Sequence, residues 1–137
     1  MAANTAPIYS LLPDTQWIDT VKTANTTRDL TSGTIYLLFT AGANGGFVQK
    51  VRFRSLGDNI ATVARLWLNN GSTTGTAANN TLVDEITLPA TTASEVAAVP
   101  PQEIILNFAI PAGYILYVTV GTTVSAGYDV HAIAGKY

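Results

Sequence analysis

Few residues in this chain could do chemistry, and their spacing limits what each can do. Asp129 and His131 stand two apart near the C-terminus, which on a strand puts both side chains on one face, as an acid beside a base would require. His131 is the single histidine of the sequence. No nucleophile or second ligand is tied to it by spacing, so the pair reads as structural. Asp84 and Glu85 are adjacent; on a strand they point to opposite faces and make a poor carboxylate dyad. The run Gly42-Ala43-Asn44-Gly45-Gly46 lacks the Lys and Ser/Thr of a phosphate loop and reads as a hairpin-type turn. Acceptor patterns for N-glycosylation at Asn25, Asn70 and Asn79 arise easily in a Thr-rich chain and carry no weight without a secretory leader. The chain is therefore expected to be no enzyme and to need no cofactor or metal.

A different chemistry is suggested by Lys50, Arg52 and Arg54, which alternate along one strand and so project from one face. If the strand containing Arg65 and Trp67 is a neighbour, those two side chains join the stripe. Arg offers bidentate recognition of carboxylates and Trp is typical of interface anchors, so the stripe is a candidate docking surface for an acidic partner. A solvated basic face serving solubility explains the same pattern.

Composition sets the setting for these residues. The chain has 137 residues, of which 47% are hydrophobic and only 12% charged, against roughly 25% charged in an average soluble domain. Thr, Asn, Ser and Gly carry the polar quota, which favours strands and turns with a neutral surface. Low charge weakens protection against association, a liability for a free monomer and acceptable for a subunit of an assembly. A net charge of -2 offers no basic footprint for nucleic acid. Cysteine is absent, which excludes disulfides and thiolate metal sites. Met1 to Pro7 lacks the basic and apolar regions of a signal peptide, and no apolar run approaches the roughly 20 residues of a membrane span. A soluble protein made in the cytoplasm, without membrane contact, is expected.

The elements that must position these side chains are strands. Residues 1–16, with Pro7 and Pro13 and scattered Ile8, Tyr9, Leu11 and Leu12, have neither a helical nor a strand period and read as an extended arm. The arm packs along its own domain or lies on a neighbouring subunit. Residues 17–137 read as one domain with strands at about Trp17 to Ala24, Thr34 to Ala41, Phe47 to Ser55, Ile60 to Asn69, Thr81 to Leu88, Glu103 to Ile110, Tyr114 to Val120 and Tyr128 to Ala134. Turn residues separate them, and Thr92 to Val99 could form a brief helical turn or a long loop. About eight strands in one all-β domain fit a jelly-roll β-sandwich.

The strand faces follow from alternation. Phe47, Val51 and Phe53 share a core face; Ala64, Leu66 and Leu68 oppose Val63, Arg65 and Trp67; Ile104, Leu106, Phe108 and Ile110 oppose Ile105, Asn107 and Ala109. Ile35 to Phe39 is apolar on both faces, as a strand covered on both sides would be. Asn69 to Asn80 is the most polar stretch and reads as a flexible exposed tip.

In combined order, several segments resemble small structural proteins of tailed bacteriophages, some of which are capsid cement, or decoration, proteins with a jelly-roll fold. These are Met1-Ala2-Ala3-Asn4-Thr5-Ala6-Pro7-Ile8, Phe39 to Gly45 followed by Val51-Arg52-Phe53-Arg54, Asn69-Asn70-Gly71-Ser72, Ile110-Pro111-Ala112-Gly113-Tyr114 and Ala134-Gly135-Lys136-Tyr137. The resemblance implies a virion protein on the outer capsid surface, a homodimer or homotrimer binding the major capsid protein across joints between its subunits. Expected contacts are Ile8, Tyr9, Leu11 and Leu12 in the arm, Lys50, Arg52, Arg54, Arg65 and Trp67 on the basic face, and Asn70 at the loop tip. The alternative is a carbohydrate-binding jelly-roll module or phage fibre domain reading host glycans, with Trp17, Trp67, Tyr114, Tyr117 and Tyr128 as stacking platforms.

Overall fold

A computed structural model describes residues 10–137. Among the described residues nine strands form, in the order β1 (Leu12–Pro13), β2 (Gln16–Val21), β3 (Tyr36–Thr40), β4 (Gly46–Ser55), β5 (Thr62–Asn69), β6 (Asn80–Leu88), β7 (Gln102–Ile110), β8 (Ile115–Val120) and β9 (Tyr128–Lys136). Every strand expected from alternation is present to within a few residues. Between β5 and β6 lies a short 3-10 turn, Ala77–Asn79. Residues 92–99, where a helical turn was one option, are irregular loop.

The strands build two antiparallel sheets: β9 pairs with β1, β2 and β4, β4 pairs with β7, and the second sheet runs β3-β8-β5-β6. Every connection from β2 onward except the β5–β6 hairpin crosses between sheets. Leaving aside the two-residue β1, β2-β9-β4-β7 faces β3-β8-β5-β6, the strand order of a jelly roll. Val51, Phe53, Val130 and Ala132 from one sheet and Leu66, Leu116 and Val118 from the other form the shared core.

Two β-bulges correct the face assignments. In β4 the register shifts between Val48 and Lys50, so parity changes there: Val48 is fully buried with Val51 and Phe53, and Phe47 is not on the core face as expected but half-buried. In β3 the register shifts between Leu37 and Phe39, and consecutive Leu38 and Phe39 both enter the core while Leu37 remains 49% exposed. The doubly apolar run thus reflects a bulge and not a second cover. The β7 assignment holds: Ile104 and Ile110 are buried, and Ile105 is exposed.

The glycine-rich segment turns tightly, with Gly45 N–H donating to Gly42 O at 3.1 Å. Gly45 has φ of +92°, where a Cβ would lie 2.7 Å from Ile110 O, so this position demands glycine. The turn is not a hairpin, because β3 and β4 part into different sheets.

Candidate functional site

The two sheets are covered unequally on their outer faces. Residues 22–35, between β2 and β3, form a strap over the outside of the β3-β8-β5-β6 sheet. Asn25 N–H donates to Val120 O of β8 at 2.7 Å, Arg65 Nη1 of β5 donates to Asn25 O at 3.3 Å, and Asn80 Nδ2 of β6 donates to Asp29 O at 2.9 Å. Arg28 pairs with Glu85 of β6 at 3.4 Å. Inside the strap, Asn25 donates from Nδ2 to Ser32 O and Thr34 O and accepts from Thr27. Leu30 is fully buried although its φ is +64°, a region bulky residues rarely adopt. Trp67, 2% exposed, donates from Nε1 to Thr119 Oγ1 at 3.0 Å. Neither Leu30 nor Trp67 belongs to the core between the sheets, and both are buried outside it.

This placement corrects the expected basic face. Arg65 and Trp67 lie on β5 and Lys50, Arg52 and Arg54 on β4, in opposite sheets, so the two groups never meet. Arg65 and Trp67 are themselves buried and present no side chain to a partner.

The outer face of the other sheet is open. The strand register sets Trp17 of β2 opposite His131 of β9, His131 opposite Arg52 of β4, and Arg52 opposite Glu103 of β7. Lys50 is flanked by Ile133 and Ile105. Glu103 accepts from Lys50 Nζ at 3.1 Å and from Arg52 Nε at 2.9 Å; these two hydrogen bonds, Lys50 first, hold its carboxyl below the usual carboxylate range. Arg54 Nη1 donates to Val99 O at 3.1 Å. Glu103 offsets one of the three positive charges of Lys50, Arg52 and Arg54, and the carbonyl that holds Arg54 offsets none.

Exposed apolar side chains share this sheet with exposed Asp19 and Asn107. Trp17 is 67% and Ile105 60% exposed, and Leu11 and Leu12 at the sheet edge are 64% and 62% exposed. The chain reaches this edge firmly: Leu12 and Pro13 pair with Lys136 and Gly135, and Lys136 Nζ lies 2.8 Å from Asp14 Oδ2. Burial pushes the Asp14 carboxyl up, but Lys136 and Gln16 outweigh it and hold it below its ordinary value. Ile8 and Tyr9 lie outside the described residues.

No acid–base pair forms. Asp129 accepts from Thr20 N–H at 3.3 Å, and the buried Nδ1 of His131 has no hydrogen-bond partner. Among the described residues no cluster of His, Asp or Glu is placed to hold a metal ion, and no helix is long and apolar enough to cross a membrane. Asn70 is exposed at the β5–β6 tip as expected. The tip is densely braced: Gly71 N–H donates to Asn69 Oδ1 at 2.8 Å, Asn70 N–H to Asn79 O at 3.1 Å and Asn79 Nδ2 to Thr73 O at 2.9 Å.

No protein-family profile and no curated protein matches this sequence. Function must be read from the surface itself. Sequence reasoning missed Ile105 and Glu103 as members of the open face; the alternation of β7 marks them as outward, but only the register places them beside Lys50 and Arg52.

Proposed function

We propose that the chain is a structural virion protein of capsid cement, or decoration, type. It docks on the outside of a phage head and bridges neighbouring major capsid subunits as a homodimer or homotrimer. The carrying observation is the unequal covering of the two sheets: the chain's own strap lies over part of one outer face, where Leu37 and Leu82 stay 49% and 38% exposed, and the other leaves Trp17 and Ile105 67% and 60% exposed on its two edge strands, with Lys50 and Arg52 on β4 sharing Glu103. An exposed Trp is a typical interface anchor. Leu11 and Leu12 are exposed where the arm joins the edge of this sheet. The resemblance to tailed-phage structural proteins supplies the partner, and many weak copies on one shell reinforce one another.

Co-sedimentation of the purified protein with capsids lacking it, with light scattering of the free protein, tests this reading. Saturable binding at a fixed ratio to the major capsid protein, lost in Trp17→Ala, is expected. A protein that ignores the shell overturns it. Glycan recognition through a surface aromatic row has little support, because Trp67 and Tyr128 are buried, Tyr114 and Tyr117 are half-buried and only Trp17 of those five is exposed.

A further inference from the structure

Among the described residues, β2 and β7 end one sheet and β3 and β6 end the other. Edge strands present unpaired backbone N–H and C=O groups, and β6 and β7, at nine residues each, are long enough to recruit a further strand. Each edge nevertheless carries one residue too many for its neighbour. Ile18 to Val21 of β2 spans Val130 to Tyr128 of β9, and Leu37 to Phe39 of β3 spans Tyr117 to Leu116 of β8. Leu82 to Asp84 of β6 spans Trp67 to Leu66 of β5, and Ile105 to Phe108 of β7 spans Lys50 to Val48 of β4. In all four pairings the inserted residue sits on the edge strand. Of the interior pairings, β5–β8 runs from Ala64 to Asn69 without a shift, and β4–β9 has one.

The backbone at these breaks departs from ladder geometry. Thr20 of β2 and Asn107 of β7 hold φ of +57° and +50°, values that interrupt an extended strand. Three edge-strand amides are also occupied by side chains. Thr20 N–H donates to Asp129 Oδ1 at 3.3 Å, Thr40 N–H to Gln16 Oε1 at 3.2 Å and Glu85 N–H to Asp84 Oδ1 at 2.7 Å. An incoming strand would keep its register on only one side of an inserted residue. Exposed Asp19 and Asp84 stand at the breaks in β2 and β6, where their charge opposes approach by a like strand.

We propose that these breaks block strand addition, so that this chain meets second copies of itself by its faces and never by extending a sheet. Composition sets the need for such a guard. With only 12% charged residues, charge repulsion between copies is weak, and long regular edges on so neutral a chain would pair with one another. A break on every edge removes that route at both sides of both sheets, while Trp17 and Ile105 stay available for contact through a face. The inference is independent of the capsid reading, because self-association of an edge variant is measured without a shell.

Two single-residue deletions test this by restoring a regular edge with its inward side chains still inward. Without Thr20, Ile18 and Val21 stand two apart, matching Val130 and Tyr128; without Asp84, Val83 and Ile86 stand two apart, matching Leu66 and Ala64. Each variant is compared with wild type by light scattering over a concentration series, and amide exchange of β5 and β8 reports that it is folded. The folded variants are expected to exceed wild type about twofold or more in mass as concentration rises. A second measurement needs no variant: in wild type, the outward amides of β2, β3, β6 and β7 should exchange equally fast in dilute and concentrated solution. Folded deletion variants that match wild type in mass overturn the proposal. So does slowing of those edge amides by about tenfold in concentrated wild type.

Discussion

Arg65 reaches out of β5 to the backbone carbonyl of Asn25, donating from Nη1 at 3.3 Å, with Glu85 Oε1 3.8 Å from its Nε. A cation that alternation assigns to a free surface instead clamps the strap over its own sheet. Loss of the side chain leaves a buried carbonyl unpaired and a carboxylate without its partner. Because Glu85 is itself partly exposed, its share is screened. Arg65→Ala is expected to lower unfolding free energy by about 2 kcal/mol in urea titrations. Glu85→Gln should cost about 0.5 kcal/mol. Equal effects of the two changes would contradict the assignment of the clamp to Asn25.

The two tryptophans should separate cleanly. Trp67 is buried under the strap and hydrogen-bonded to Thr119, so Trp67→Ala should destabilise by about 3–5 kcal/mol. Trp17 stands 67% exposed, and Trp17→Ala should change stability by less than about 0.5 kcal/mol while weakening capsid binding at least about tenfold. Denaturation and co-sedimentation on the same variants check both halves.

Glu103 gives a pH signature. Its carboxyl is held below the ordinary 4.5 by Lys50 and Arg52 in the folded chain, so the folded state binds that proton less readily than the unfolded state. The pairing therefore stabilises fully above pH 4.5 and is lost as pH falls through the depressed folded value. Wild type and Glu103→Gln should differ by a constant amount near neutrality, and the difference should shrink below pH 4.5. A gap that widens on acidification would refute the sign.

Gly135 governs how the arm enters the sheet. A Cβ there would meet the Ser10 side chain and lie 2.6 Å from Leu12 O. Gly135→Ala should dislodge residues 10–13 from β9 and speed their amide exchange, while amides of β5 and β8 stay protected. If capsid binding falls with it, the seated start of the arm belongs to the docking surface.

Much of the fold is legible because strand alternation and turn chemistry are local. Pro111-Ala112-Gly113, the Asn69 to Asn80 hairpin and the alternation of β7 each act through near neighbours, so the sequence alone marks strands and an all-β class. Bulges are less visible: one inserted residue at Gln49 or Leu38 reverses every face beyond it, yet leaves composition unchanged. Surface and interior of the outer layer are not legible at all. Arg65 and Trp67 carry the pattern of an open face, and only the strap from residues 22–35, about 40 positions away for Asn25, buries them. The same holds for Lys50 and Arg52, whose shared pairing with Glu103 depends on β4 and β7 becoming neighbours across 53 and 51 residues of chain. Alternation reports where a side chain points; what meets it there is decided by contacts distant in sequence.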